Sequence, residues 1–239
     1  MHRCPVVDLG QQKFFGRLHW IDIECGTGAF TAQISELCSP LQLLGIDSTE
    51  AQIEFAQKRD MQQSVIFHTR DAMALTYNVA SLDIAVMALV LFFVPKPVLG
   101  LAEMKRVVRP GGIFAAYLWD VFREGLPVQV FHKESRKRGI QYSLPPSAEV
   151  SKMELHEELW NETNLWSVES TEIKASRKFG NFDEFWNINT SSPALSVVLE
   201  DLSSQEISEI CSSPENQLHH GTSGCIVCEA HANAIKGIA

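Results

Sequence analysis

The stretch that decides the fold of this chain is Asp22-Ile23-Glu24-Cys25-Gly26-Thr27-Gly28, which completes the short apolar run Trp20–Ile23. Glycines between an apolar run and an amphipathic segment indicate a tight turn from a strand into a helix, because glycine adopts positive φ without steric cost. The N-terminus of such a helix attracts anions through its backbone N–H groups. The stretch therefore predicts a ligand-binding turn between a first strand and a first helix.

Outward from this turn, apolar strands alternate with amphipathic helices up to about residue 120. Strand–helix alternation requires right-handed crossovers and a parallel sheet covered on both faces, which predicts a three-layer αβα, Rossmann-like α/β fold. The predicted strands are Trp20–Ile23, Leu41–Asp47, Ser64–His68, Leu82–Ala88 and Ile113–Leu118. The predicted helices are Ala29–Cys38, a segment capped by Ser48 or Thr49, and Val98–Val108, which Arg109-Pro110-Gly111-Gly112 ends.

The second half of the chain is less regular but still alternates. It predicts helices over Phe131–Gly139 and Met153–Asn161, and strands over Val168–Ala175 and Gly224–Ala232. Two late strands separated by helices indicate a closing antiparallel pair on the same sheet. Because no linker or repeat interrupts the sequence, we expect a single domain over residues 1–239, with residues 20–120 as its ligand-binding core.

Composition restricts the classes of partner and compartment. The chain has 239 residues and a formal net charge of −9, which argues against a nucleic-acid binder. Six scattered cysteines are too few for a disulfide scaffold, so we expect a reducing, cytoplasmic location. The longest apolar run, Ile84–Val94, is about half the length of a membrane span, so no span is expected.

Acidic residues follow three successive predicted strands. Asp22, Asp47 and Asp71 lie where open α/β sheets bind ligands, outside the carboxyl ends of the strands. A glycine turn with one acidic residue fits any dinucleotide, and Asp47 is placed to accept hydrogen bonds from a ribose diol. An acid beside the turn opposes a pyrophosphate, whereas a ligand with a cationic amino group and a sulfonium favours it.

Five stretches together resemble the class I S-adenosylmethionine-dependent methyltransferases, especially the small-molecule branch similar to ubiquinone/menaquinone-biosynthesis methyltransferases. They are Ile21–Gly28, Gly45–Ser48, Arg70–Ala72, Leu82–Val86 and Arg106–Gly112. The resemblance implies the methyltransferase form of the Rossmann-like fold and methyl transfer to a small-molecule acceptor, with S-adenosyl-L-methionine as the cofactor. It also places residues 121–239 on the acceptor side.

The resemblance further implies a role for each matching residue. Asp22 and the Gly26–Gly28 backbone would hold the amino-acid moiety, and Asp47 would accept from both ribose hydroxyls. Ser48 and Gln52 would lie near the ribose and adenine. Asp71 would accept from the adenine amino group while the Ala72 N–H donates to the ring. Met87 and Ala88 would lie beside the transferred methyl, at the mouth of the acceptor pocket. The expected cofactor-binding residues are Asp22, Glu24, Cys25, Gly26, Gly28, Asp47, Ser48, Gln52, Asp71, Ala72 and Met87.

Two departures from the family pattern leave alternatives open. Glu24 stands where the family has the first glycine of its turn, and positive φ there would cost on the order of 1 kcal/mol. Only about nineteen residues precede the first strand, where relatives carry a helical segment over the cofactor. A degenerate, cofactor-binding-only domain is therefore one alternative. An NAD-dependent oxidoreductase is a second, which Asp22 disfavours.

No residue is identified as catalytic from the sequence. His132, His156 and His231 are available as general bases without further support, and Asp83 is expected to orient a neighbouring loop. Cys225 and Cys228 follow His219-His220, but residues three apart in a strand point to opposite faces. We therefore expect no metal site. The acceptor and the oligomeric state are not determined by the sequence.

Overall fold

A computed structural model describes residues 18–61, 64–127, 129–137, 139, 144–163, 167–190, 203, 205–206, 219–220 and 226–239. The strands are β1 His19–Ile23, β2 Gln42–Asp47, β3 Val65–Thr69, β4 Leu82–Ala88, β5 Val108–Trp119, β6 Ser167–Phe179, β7 His219–His220 and β8 Ile226–Ile238. The helices are α1 Ala29–Cys38, α2 Glu50–Ala56, α3 Pro97–Val107, α4 Gln129–Lys137, α5 Met153–Asn161 and α6 Phe182–Thr190.

The strands form a sheet in the order β3-β2-β1-β4-β5-β8-β6, with β7 paired to β8. β1 pairs in parallel with both β2 and β4, and the parallel arrangement extends outward to β3 and β5. The Gly111 N–H donates to the Ala239 carbonyl and the Ala239 N–H donates to the Gly112 carbonyl, so β8 runs antiparallel to β5. The predicted mostly parallel sheet with a closing antiparallel pair is confirmed. Strand order reverses between β1 and β4, where such sheets bind ligands.

Alternation along the strands divides the core into two layers of side chains, one on each face of the sheet. The layer that contains Phe30 and Ile34 of α1 receives Trp20, Leu43, Ile84, Val86 and Ala115 from the strands. The opposite layer contains Leu101 and Met104 of α3 together with Trp160 of α5, and receives Ile21, Leu44, Ala85, Met87 and Phe114. Neighbouring strand residues thus face opposite layers, as the predicted three-layer architecture requires.

The chain divides into two compact units. The first contains residues 1–118, 145–173 and 233–239, and it holds β1 to β4 with helices α1, α2, α3 and α5. The second contains residues 119–144 and 174–232, with α4, α6 and β7. Within the second unit, the Asp120 N–H donates to the His231 carbonyl at 3.2 Å, and the His231 N–H donates to the Gly125 carbonyl at 3.1 Å.

Several element boundaries differ from those predicted. β5 begins at Val108 rather than Ile113, because Pro110 to Gly112 lie beside the end of β8 instead of forming a separate turn. Thr49 is the N-cap of α2, but its side chain makes no capping bond. β6 and β8 are both longer than predicted and continue to Phe179 and Ile238. Within the described part of the chain, no helix combines the length and apolarity needed to cross a membrane.

Candidate functional site

The glycine turn joins the end of β1 to the start of α1 through three positions with positive φ. These are Glu24 at 55°, Gly26 at 54° and Gly28 at 75°. A Cβ added at Gly26 would meet no atom within 4 Å, whereas one at Gly28 would lie 3.1 Å from the Ala56 Cβ. The turn is therefore closely packed behind Gly28 and open in front of Gly26. An open backbone at this point allows a ligand to approach the turn closely.

Asp22 lies beneath this turn and is almost fully buried. The hydroxyl of Thr31, in the first turn of α1, donates to Asp22 Oδ2 at 2.6 Å. The N-cap of α1 is Gly28, so Asp22 does not cap that helix. A buried carboxylate held in one orientation beside a turn favours a cationic group of a ligand. Sequence analysis did not identify Thr31 as part of the site, although its place in the first turn of α1 brings it close to Asp22.

Asp47 ends β2 and connects the first two strands of the site. Its Oδ2 accepts the Gly26 N–H at 2.9 Å, and its Oδ1 accepts the Thr49 N–H at 2.8 Å. Only 6% of the Asp47 surface is exposed. A carboxylate has about four acceptor positions. The two backbone bonds therefore leave Asp47 two positions for further donors, such as the two hydroxyls of a ribose.

The loop after β3 supplies Asp71 and Ala72 at the same edge of the sheet. Asp71 is exposed, and its Oδ1 accepts the Met73 N–H at 2.7 Å, which is the hydrogen bond of a local turn. Ala72 is buried. Asp71 thus shapes the loop, and its contact with an adenine amino group stays a prediction. Gln52, on α2, is half-buried, and its predicted place near the nucleoside also stays untested.

Glu24 directs its side chain toward the ends of β2 and β3. The Ser48 hydroxyl donates to Glu24 Oε2 at 3.1 Å. The backbone N–H groups of Ser48 and Ala72 lie close enough to this carboxylate to lower its pKa. Burial raises the pKa of Glu24, and the neighbouring Asp47 carboxylate raises it further. The hydrogen bonds oppose that shift without cancelling it. Glu24 has the positive φ that is expected if it stands in place of a glycine of the turn.

Cys25 packs rather than reacts. Its N–H donates to the Ile46 carbonyl at 2.7 Å, and its Sγ would lie 3.3 Å from a Cβ at Gly45. Burial raises the pKa of the thiol far above its usual range, and the Asp22 and Asp47 carboxylates add to this shift. The thiol is therefore neutral at physiological pH. This arrangement gives the Cys25 side chain a packing role, and the predicted contact of Cys25 with the cofactor stays a prediction.

Met87 is the second-to-last residue of β4. Its side chain is fully buried in the core layer that contains α3, and its Cε would lie 3.4 Å from a Cβ at Gly100. Its position in β4 thus directs the side chain toward the helix, and its predicted place at the mouth of an acceptor pocket stays a prediction. Ala88, the next residue, is half-buried at the end of the strand. Which of the two lies beside a transferred group stays a prediction.

Two further side chains support the turn and were missed by sequence reasoning. Arg59 Nε donates to the Thr27 carbonyl at 2.5 Å, which fixes the turn from outside. The Phe67 ring pairs across the sheet with Gly45 and its Cζ would lie 3.2 Å from a Cβ at Gly28. The sequence signal for Phe67 is an aromatic residue that pairs across two strands with a glycine. This signal can be recognised only when the register of β2 and β3 is known.

Other sequence-based expectations have mixed outcomes. Asp83 orients its neighbours as expected, since it accepts the His19 N–H at 2.8 Å and Arg109 Nε at 2.5 Å. The cysteines and histidines near the end of the chain, where no metal site is expected, lie partly outside the described residues. Cys228 is among the described residues and Cys225 is not. Burial raises the pKa of the Cys228 thiol to about 11.

The donor set of the site fits two parts of S-adenosylmethionine. The buried Asp22 carboxylate suits a cationic amino group, the open space in front of Gly26 admits the rest of the amino-acid moiety, and Asp47 suits a ribose diol. The fit is poorer at the nucleoside end of the site, because the Glu24 carboxylate already accepts from the Ser48 hydroxyl there. The residues therefore fit the cofactor except for this one side chain.

Comparison with known families identifies the segment that contains this geometry. Residues 21–116 match the family model described as a methyltransferase domain. This segment is similar to methyltransferase domains. The match includes the glycine turn, Asp47, Asp71 and the whole of β4. The resemblance to class I S-adenosylmethionine-dependent enzymes is thereby confirmed over this segment, and the match supports S-adenosylmethionine as the cofactor of the domain.

Relatives of known activity share the same segment. The demethylmenaquinone methyltransferase of Lactococcus lactis subsp. lactis (strain IL1403) is 32% identical over 96 residues. The match covers 38% of this chain and 38% of that enzyme. The methyltransferase domain is therefore similar to a menaquinone-branch enzyme over its core, while the remaining length of the relative is not matched.

Solved structures extend the likeness of fold over almost the whole chain. A protein from Anabaena variabilis ATCC 29413, assigned as a methyltransferase of an antibiotic biosynthesis pathway, has a TM-score of 0.65 at 11% identity. The alignment covers 94% of this chain and 92% of that one. A SAM-dependent methyltransferase from Aquifex aeolicus has a TM-score of 0.52 at 17% identity, covering 69% of this chain and 78% of that one. At these identities the likeness shows the fold of the methyltransferase domain, not its substrate.

Proposed function

We propose that the whole chain transfers the methyl group of S-adenosylmethionine to a small-molecule acceptor. The observation that carries this proposal is the hydrogen bond from the Gly26 N–H to Asp47, which joins the open glycine turn to the carboxylate predicted to bind a ribose, at the carboxyl ends of β1 and β2. Asp22 lies near the end of β1, where it is buried and oriented by Thr31. Groups suited to three parts of one ligand thus lie together at the carboxyl ends of β1 and β2.

The residues of the chain bind and orient the cofactor in this mechanism. Asp22 and the Gly26 backbone hold the amino-acid moiety, and the two remaining acceptor positions of Asp47 hold the ribose hydroxyls. When bound, S-adenosylmethionine supplies a methyl group on a positively charged sulfur. The chain contributes alignment of the acceptor with that methyl and the exclusion of water.

No general base is assigned to the reaction. His156 lies in the core with no exposed surface, and burial lowers its pKa to about 3, so it cannot contact an acceptor. Burial lowers the pKa of His132 to about 4, with a smaller effect from Arg136. An acceptor that is already acidic, such as an enol or phenol, needs the least help from a base. We therefore include an acidic acceptor in the proposal.

The acceptor side, the compartment and the class of acceptor are proposed from sequence patterns alone. Residues 121–239 form the acceptor side of a single functional domain, and the chain acts in the cytoplasm. The net charge of −9 supports a small molecule rather than a nucleic acid as the acceptor. The proposed cofactor-binding residues of the chain are those that the resemblance implies. At the end of β4 the half-buried Ala88 is available to a ligand, whereas the Met87 side chain is fully buried.

Isothermal titration calorimetry with three ligands tests the proposal. S-adenosylmethionine and S-adenosylhomocysteine are expected to bind with dissociation constants in the micromolar range, and NAD is expected to give no heat of binding. Methyl release is then measured over a panel of quinols, phenols and amines. Preferential binding of NAD would contradict the proposal. Cofactor binding without methyl release from any acceptor would favour the degenerate, binding-only alternative.

A further inference from the structure

Glu24 occupies a backbone conformation that favours glycine, at the point where β1 meets the cofactor-binding turn. Its φ of 55° lies in the left-handed region, which is unfavourable for a residue with a Cβ. The side chain is not directed away from the site. It is half-buried, accepts from the Ser48 hydroxyl and lies beside the loop that contains Ala72.

The donors that Glu24 engages are the ones that a nucleoside would need. The Ser48 hydroxyl, at 3.1 Å from Oε2, lies beside Asp47 at the end of β2. The Ala72 N–H lies after β3, and the resemblance assigns it to the adenine ring. A single N–H or O–H that donates to the Glu24 carboxylate cannot at the same time donate to a ligand with good geometry.

We propose that Glu24 is a built-in competitor for the nucleoside: in the ligand-free chain its carboxylate accepts from the Ser48 hydroxyl and lies beside the Ala72 N–H, and it must leave this place before adenosine binds. This inference rests on the proposed function, because it takes the nucleoside of S-adenosylmethionine as the ligand. It assigns to Glu24 control of cofactor affinity, not a catalytic role.

The electrostatics of the site make Glu24 displaceable. Burial disfavours the charged form of Glu24, and the nearby Asp47 carboxylate also repels it, so the pKa of Glu24 is raised. Asp47 itself remains bound to the Gly26 and Thr49 N–H groups. Departure of the Glu24 carboxylate therefore relieves a like-charge contact while the turn and the ribose-binding residue keep their positions.

The competition acts on one half of the cofactor. Ligands that contain adenosine must displace Glu24, whereas the amino-acid moiety is assigned to Asp22 and the Gly26 backbone. We expect Glu24 to weaken the binding of S-adenosylhomocysteine, S-adenosylmethionine and adenosine by similar factors. Free methionine is expected to be unaffected, because it does not require the Ser48 or Ala72 donors.

Two substitutions separate the carboxylate from the backbone strain. Glu24→Ala removes the carboxylate but retains a Cβ at positive φ, and Glu24→Gly removes both. Glu54→Gln is the matched control, since it changes the same charge at an exposed position on α2. Calorimetry with S-adenosylhomocysteine is expected to show affinity at least about fivefold higher for both Glu24 variants, and a change of less than about twofold for the control.

Amide hydrogen exchange gives a readout that needs no turnover and no cofactor. In the ligand-free protein the Ala72 N–H is expected to exchange slowly, because the Glu24 carboxylate lies beside it and keeps water away, and to exchange faster in Glu24→Ala. Saturating S-adenosylhomocysteine is expected to slow this exchange again in the variant. Equal exchange in the ligand-free wild type and Glu24→Ala would overturn the inference.

The binding results distinguish this inference from the proposed function. If the wild type binds S-adenosylhomocysteine while Glu24→Ala and Glu24→Gly bind it equally or more weakly, Glu24 is not a competitor, and the proposed function stands. If no form of the protein binds S-adenosylhomocysteine, the proposed function fails and this inference fails with it.

Discussion

The Gly26 N–H donates to Asp47 Oδ2 at 2.9 Å, so the glycine turn after β1 and the acidic end of β2 form one unit. The two residues are 21 positions apart in the chain. Asp47 therefore has two tasks: it fixes the turn through one oxygen and it offers unused acceptor positions to a ribose. A ligand that binds to Asp47 meets a turn that is already ordered, which lowers the entropy cost of binding.

Replacement of Asp47 by alanine tests this double role. Asp47→Ala removes the partners of the Gly26 and Thr49 N–H groups as well as the expected partner of the ribose. Loss of these hydrogen bonds is expected to weaken binding of S-adenosylhomocysteine by more than about 1 kcal/mol, measured by calorimetry. The free energy of unfolding, measured by urea titration, is expected to fall as well.

Asp47→Asn is the comparison for that variant, because the amide oxygen still accepts one of the two N–H groups. We expect its unfolding free energy to lie between the wild-type and Asp47→Ala values, with binding still weakened. Wild-type affinity in Asp47→Ala would show that the ribose is held elsewhere.

Gly45 in β2 is expected to tolerate no side chain. An added Cβ would lie 2.5 Å from both Cδ1 and Cε1 of the Phe67 ring, which cannot swing away because it also packs behind Gly28. Gly45→Ala is therefore expected to destabilise the protein by about 2 kcal/mol in urea titration.

Gly111→Ala is the control for this substitution. Its Cβ would meet nothing within 4 Å, but its φ of 77° strains a side chain. Its cost is expected to be no more than about 1 kcal/mol. Equal destabilisation by the two alanines would mean that Phe67 yields easily and does not support the turn.

His156 is expected to make the protein less stable in mild acid. Burial lowers its pKa from 6.5 in the unfolded chain to about 3, so the unfolded state binds more protons between these values. Stability should therefore fall as pH falls through 6.5, by about 2 kcal/mol at pH 5. His156→Leu removes this contribution. The difference in unfolding free energy between variant and wild type is expected to favour the variant more at pH 5 than at pH 8, and parallel pH profiles would contradict the assignment.

Local patterns in the sequence were sufficient for the first five strands and for α1, α3 and α5. Their apolar runs and glycine-containing turns carry the signal within a short window, and α5 has the predicted bounds Met153–Asn161. The start of β5 was missed because Pro110 and Gly111 signal a turn locally, whereas pairing with Ala239 at the far end of the chain extends the strand.

The candidate site was predictable in its residue types but not in its contacts. The spacing of Asp22 and Asp47 placed both at one sheet edge, and the structure brings them there. The direction of the Met87 side chain and the destination of the Glu24 carboxylate depend on packing between distant segments. No local pattern encodes the bond from Ser48 to Glu24, which spans 24 positions.

A crystal structure of the wild-type protein soaked with S-adenosylhomocysteine tests the central claim most directly. The account predicts a nucleoside along the carboxyl ends of β1, β2 and β3, with its ribose hydroxyls bonded to Asp47 and the Glu24 carboxylate withdrawn from Ala72. A ligand bound elsewhere, or an edge that stays closed by Glu24 at saturating concentration, would contradict it.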